Sequence, residues 1–113
     1  MPREKHGPGG LGMLLLALLA GQDMYGYQMI EALRLRSNQV FALKAGTLYP
    51  LLHTLEQQGW VTSYDDGAPG SRVRRYYRIT PQGRAALEEQ KSEWNAYADA
   101  VRGVLEGGAL CGA

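Results

Sequence analysis

Between residues 67 and 79 the chain carries Arg72, Arg74, Arg75 and Arg78 and no aspartate or glutamate. Guanidinium groups at this density are planar, permanently charged and rich in donors, which suits them to phosphate oxygens. Alternation along a strand puts Val73, Tyr77 and Ile79 on one face and Arg72, Arg74, Tyr76 and Arg78 on the other, with Arg75 on the apolar side. A second polar group, Lys44, Thr47, Tyr49 and His53, lies at or outside the start of a predicted helix whose inward stripe is Leu48, Leu51, Leu52 and Leu55. Neither group has the make-up of a catalytic centre. One cysteine, Cys111, and two histidines, His6 and His53, are too few for a His/Cys metal cluster. No nucleophile elbow, phosphate-binding glycine loop or zinc-protease motif occurs. The sequence predicts a binding protein, not an enzyme, with no metal and no cofactor.

The 113 residues allow one domain, and 45% hydrophobic against 20% charged residues provide a core. The net charge of +1 divides by position. Residues 1 to 79 hold nine Lys or Arg against six Asp or Glu, a balance of +3, and residues 80 to 113 hold three against five, a balance of −2. A lone cysteine excludes an intramolecular disulfide and fits the cytoplasm. Arg3 and Lys5 ahead of Leu11 to Ala20 follow the order of a secretory leader, but no Ala-x-Ala site follows. The run is also shorter than the roughly 18–20 residues that span a bilayer. A buried helix accounts for the same leucines, so no membrane partner is expected.

The elements that must position these side chains follow from local signals. Glycine-rich ends predict flexible tails over 1–10 and 107–113. Leu11 to Ala20 is a short helix, apolar nearly all round and stopped by Gly21, so it should be buried on several sides. Asp23 is placed to cap a second helix with Tyr27, Ile30 and Leu33, and Met29 beside them, inward, ended at Ser37 and Asn38. Val40 and Phe41 suffice for no more than an edge pairing. The third helix opens around Ala45 to Tyr49, because Pro50 is tolerated in a first turn, and Gly59 ends it. Trp60 to Tyr64 and Val73 to Ile79 flank turn residues and form a hairpin. Thr80 and Pro81 read as N-cap and first residue of a long helix running to about Leu105. Tyr27, Leu48, Leu52, Leu55, Tyr77 and Ile79 are assigned to the core.

The last helix carries an apolar seam. Leu87, Trp94 and Val101 repeat every seven residues, with Tyr97 and Val104 in a second row and Ala98 and Leu105 in a third. About 25 residues span nearly 40 Å, more than a body of this size covers. A symmetry mate is the economical partner. Leu15 of the first helix, with Leu87, Trp94, Ala98, Val101 and Leu105, is assigned to that dimer interface. Trp94 has two readings, interface alone or, with Tyr97 and Val101, one wall of a shared site for a flat apolar effector.

Three helices, a basic hairpin and a dimerising helix, in that order, make a mainly α fold with a small β-hairpin: a winged helix-turn-helix over 11–80 and a dimerisation helix over 81–106. In that frame Thr47, His53, Arg72, Arg74 and Arg75 are the candidate contacts to double-stranded DNA, with Arg78 on the same basic strand. Thr47 and His53 either reach the bases or only serve the local helix end. The fold also permits a protein-interaction module without specific DNA binding.

Three blocks resemble a known family: Tyr25-Gly26-Tyr27-Gln28-Met29-Ile30; Gly46-Thr47-Leu48-Tyr49-Pro50-Leu51-Leu52-His53-Thr54-Leu55-Glu56 with Gly59; and Arg74-Arg75-Tyr76-Tyr77-Arg78-Ile79-Thr80 with Gly83. Their order and spacing are similar to those of PadR-type transcriptional regulators in the short form with a single C-terminal helix, over about residues 11 to 105. The resemblance implies a homodimeric repressor that binds a two-fold operator and is released by a small molecule. It places Tyr49 and the exposed side of its helix near the major groove, Arg74 and Arg75 at phosphate or minor groove, and Lys44, just before that helix, at phosphate, which makes Lys44 and Tyr49 candidate DNA contacts as well. One departure is visible: Ser71-Arg72-Val73-Arg74-Arg75 stands where the family commonly has Gly-Arg-Pro-Arg-Lys, which leaves the wing tip less fixed.

Overall fold

The computed structural model describes residues 10–67, 69–70 and 72–107. Four helices and three short strands follow in the order α1 (Gly10–Gly21), β1 (Met24–Tyr25), α2 (Gly26–Arg36), α3 (Ala45–Gln57), β2 (Val61–Asp66), β3 (Arg74–Ile79) and α4 (Pro81–Glu106). The strands form one antiparallel sheet with β3 central, in the order β1-β3-β2. This is a mainly helical winged helix-turn-helix followed by a long C-terminal helix, as the sequence indicates. Apart from Gly10, which opens α1, and Gly107, the predicted tails and Cys111 lie outside the described residues.

The helix that is apolar on every side sits in the middle. α1 packs against α2, α3, α4 and β3, which is why Leu15, Leu16, Leu18 and Leu19 are all buried. Met24 of β1, Met29 and Leu33 of α2, Leu48, Leu52 and Leu55 of α3, Val61, Tyr77, Ile79 and Leu87 complete the core. Each such side chain contributes about 1.5–3 kcal/mol of transfer free energy relative to exposure. No helix among the described residues is long and apolar enough to cross a membrane.

Local signals mark several boundaries. Thr80 Oγ1 accepts from the Gly83 N–H at 2.9 Å and donates to the Gly59 carbonyl at 2.7 Å, tying the start of α4 to the end of α3. Gly83 has no room for a side chain: a Cβ there would press on the Trp60 carbonyl group and lie 2.8 Å from Ile79 Cγ1. Gly59, at φ 79°, takes the left-handed conformation that stops α3.

Other expectations are corrected. Asp23 does not cap α2; Tyr25 occupies the cap position and its N–H donates to Gln28 Oε1 at 3.0 Å. Met24 and Tyr25 pair with Tyr77 and Tyr76, a strand too short to show any alternation. Pro50 lies in the second turn of α3, because the helix already begins at Ala45. Residues 40 and 41 form no strand; Val40 is exposed and the Phe41 N–H donates to Ser37 Oγ. Tyr27 is 64% exposed and Val73 60% exposed, so neither belongs to the core.

α4 leaves the body after Leu87. At 1.5 Å per residue its 26 residues run about 39 Å, and the described chain measures 70 × 28 × 25 Å. Leu15 is fully buried and Leu87 nearly so, both covered by their own chain. They are therefore removed from the interface assignment, and the uncovered apolar row starts at Trp94 and continues through Tyr97, Val101, Val104 and Leu105. Ala98 is half-buried beside it.

Candidate nucleic-acid interface

The register of the sheet assembles the first part of the site. Tyr25 of β1 and Tyr64 of β2 both lie directly opposite Tyr76 of β3, so three phenol rings form one cross-strand row. Tyr76 meets Tyr25 edge-on at 5.4 Å and stacks on Tyr64 at 5.7 Å. The guanidinium of Arg74 lies 4.6 Å from the Tyr25 ring centre, and that of Arg78 lies 4.9 Å from the Tyr64 ring centre. A cation thus closes each end of the row.

The two ends differ in charge. Arg78 donates through Nε to the Asp23 carboxylate at 3.2 Å, with its Nη2 at ion-pair distance, 3.1 Å, from the same oxygen, and Tyr64 Oη donates to that carboxylate at 2.6 Å. The Tyr64 hydroxyl, and with it Arg78, holds the Asp23 carboxyl below the usual aspartate range against a partial desolvation. The same bond raises the Tyr64 hydroxyl. A lowered folded-state pKa gives stability that is present above the unfolded value, near 3.9, and is lost as pH falls through the folded one. Asp23→Asn is accordingly expected to melt at a lower temperature than wild type at pH 7, with the gap closing below about pH 4. A gap that stays constant across that range would show that the charge of Asp23 is not what stabilises the joint.

Arg74, at the other end, faces an open cleft of about 510 Å³ lined by Tyr25, Gly26, Tyr27, Tyr49, Arg72, Arg74 and Arg75. Among the described residues this lining holds no carboxylate. Arg75 lies opposite Asp65 on β2 and pairs with it at 3.5 Å, with both side chains about 60% exposed, a contact that contributes little in water. Tyr49 reaches across from α3 and lays its phenol over Gly26, where any side chain would collide with the ring. Glycine at this position is what allows α2 and α3 to share the cleft.

The remaining assigned residues lie along α3. Lys44 is its N-cap residue, without a side-chain cap bond, and Thr47, Tyr49 and His53 are exposed, while Leu48, Leu52 and Leu55 face the core. The structure therefore brings Tyr49, Arg72, Arg74 and Arg75 into one cleft and leaves Lys44, Thr47 and His53 on the exposed side of the adjoining helix. Tyr25, Gly26 and Tyr27 were not among the site residues read from sequence. The signal that could have found them is the Tyr-Gly-Tyr triplet itself, two aromatic side chains flanking a residue with none.

Trp94 and Tyr97 lie apart from the cleft on α4, one helical turn from each other, with ring centres 5.9 Å apart. Cations and hydroxyl donors around an open cleft, beside an exposed helix face, are equipped to hold a polyanion rather than to make or break a bond.

Known proteins resemble the chain in sequence and in fold. A family model described as the transcriptional regulator PadR-like family matches residues 15–89. The transcriptional regulator Rv3488 of Mycobacterium tuberculosis is 39% identical over 88 residues, 78% of this chain and 76% of that protein. A PadR family transcriptional regulator from Eggerthella lenta superposes with a TM-score of 0.75 at 37% identity, over 88% of this chain and 84% of that one. A transcriptional regulator from Clostridium thermocellum does so with a TM-score of 0.76 at 30% identity, over 83% and 91%. On the match over residues 15–89 and these similarities, the chain belongs to the PadR-like family of transcriptional regulators.

Proposed function

We propose that this chain acts in the cytoplasm as a homodimeric DNA-binding repressor, released from a two-fold operator by a small molecule. The observation that carries DNA binding is the convergence of three elements on one cleft: α2 through Tyr27, α3 through Tyr49 and the hairpin through Arg72, Arg74 and Arg75. In this reading the domain over 11–80 docks with the exposed side of α3 in the major groove, with Lys44, Thr47, Tyr49 and His53 toward it and the hairpin arginines on phosphate. The helix over 81–106 supplies the dimer through Trp94, Ala98, Val101 and Leu105. A two-fold pair of Trp94 side chains, with Tyr97 and Val101, forms the wall of the effector site. Quenching of tryptophan fluorescence by planar aromatic compounds should then disappear in Trp94→Ala, where Trp60 remains as the reporter.

The test of the main reading is a titration of the protein into labelled duplex DNA from upstream of its own gene. Anisotropy is followed at two salt concentrations with an unrelated duplex as competitor. Specific binding of two chains per site, weakening steeply as salt rises, is the expected result. Absence of binding to either duplex at low salt would overturn it in favour of a protein-interaction module.

A further inference from the structure

Resting on that DNA-binding reading, we propose that the cleft between Tyr27, Tyr49 and the hairpin arginines is a seat for one sugar–phosphate unit of the DNA backbone, with Tyr27 as the hydroxyl contact that α2 contributes. Four features of the cleft lead there. Its volume of about 510 Å³ exceeds what a bare anion fills and falls in the range of sites for small organic groups. Its lining combines guanidinium groups with phenol hydroxyls and, among the described residues, no carboxylate, so its charge selects an anion and its donors suit phosphoryl oxygens.

The position of Arg74 narrows the ligand further. With the guanidinium carbon 4.6 Å over the Tyr25 ring, and that ring braced edge-on by Tyr76, the cation is held beside the cleft. Its N–H edge remains to meet two oxygens of one phosphate. Tyr27 is the fourth feature. It shares its helix with the buried Met29 and Leu33, yet is 64% exposed at the cleft, a position that packing does not explain. Tyr49 belongs both to the cleft wall and to the exposed side of α3, so a strand whose bases meet α3 runs its backbone past this seat.

A phosphate ester could also come from a free nucleotide, and the experiment separates the two sources. Wild type, Tyr27→Phe, Tyr27→Ala and, as a control outside the cleft, Leu35→Ala are titrated into the operator duplex and an unrelated duplex, and separately with ATP as the free-nucleotide probe. Tyr27→Phe is expected to weaken both duplexes by the same factor, about three- to tenfold, and Tyr27→Ala by more. Leu35→Ala, an equally exposed side chain of α2, should match wild type. The salt slope of Tyr27→Phe should stay at the wild-type value, because the lost hydroxyl carries no charge. Melting temperatures equal to wild type establish that the fold is intact, as the exposure of Tyr27 leads one to expect. Wild-type affinity for both duplexes in both Tyr27 variants would overturn the seat while leaving DNA binding in place. ATP binding that depends on Tyr27, with duplex binding that does not, would overturn the assignment to DNA. Failure of the wild-type protein to bind any duplex would remove the DNA reading and the seat together.

Discussion

On the proposed reading of a two-fold dimer on an operator, Val101→Asp is expected to convert the protein from a dimer into a monomer at micromolar concentration and to weaken operator binding by at least about a hundredfold. Val101, 38% exposed, lies in the middle of the apolar row that begins at Trp94 and stands outside the core cluster of the described chain. In a two-fold interface one substitution acts twice, placing two carboxylates near each other in a desolvated seam. Loss of the second DNA-binding unit removes the gain from tethering two half-sites, which is typically of the order of 10²–10⁴ in affinity. Sedimentation velocity and the duplex titration measure the two effects separately. The variant should keep the melting behaviour of its winged domain, since Val101 touches none of the core built around α1. A Val101→Asp protein that still sediments as a dimer would move the interface off this row.

Arg74→Ala and Arg78→Ala should behave differently although both arginines lie on the same face of β3. Arg74 lies over an aromatic ring and, although Asp66 stands opposite it in the register, forms no ion pair within 4 Å among the described residues. Its removal should weaken every duplex about tenfold and reduce the slope of log affinity against log salt by about 0.9, the value for one phosphate contact on duplex DNA. Arg78 is neutralised by Asp23 and stacked on Tyr64. Arg78→Ala should leave the salt slope almost unchanged and lower the melting temperature instead. Equal slopes in the two variants would mean that the distinction between a free and a paired arginine does not govern the interface.

This contrast shows how far the sequence could be read. Four arginines without an acid between residues 67 and 79 mark the strand as basic, but the partners of Arg74 and Arg78 lie far away in the chain. Asp23 is 55 residues from Arg78, and read locally it is only a polar residue ahead of a helix. Pairing of Met24 and Tyr25 with β3 turns that segment into an edge strand, which moves Asp23 to the sheet and leaves the cap position of α2 to Tyr25, whose N–H donates to Gln28. Tyr27 fits the three-residue spacing of the inward stripe, yet the inward side of α2 is filled by Met29 and Leu33 against α1, and Tyr27 turns out to the cleft.

What the sequence determined by itself was whatever rests on neighbours in the chain. Thr80 and Pro81 start α4, Gly59 stops α3, and the leucines of α3 define its inner face, because caps, left-handed residues and helical periodicity act over three or four positions. The signature blocks also carried the family. Tertiary structure alone decided which arginine pairs with Asp23, which tyrosines share a cleft, and that Leu15 and Leu87 belong to the chain's own core rather than to an interface. Those outcomes depend on strand register and on α1 occupying the centre, contacts between segments tens of residues apart, whose free energy is set by burial and charge partners that no local pattern records.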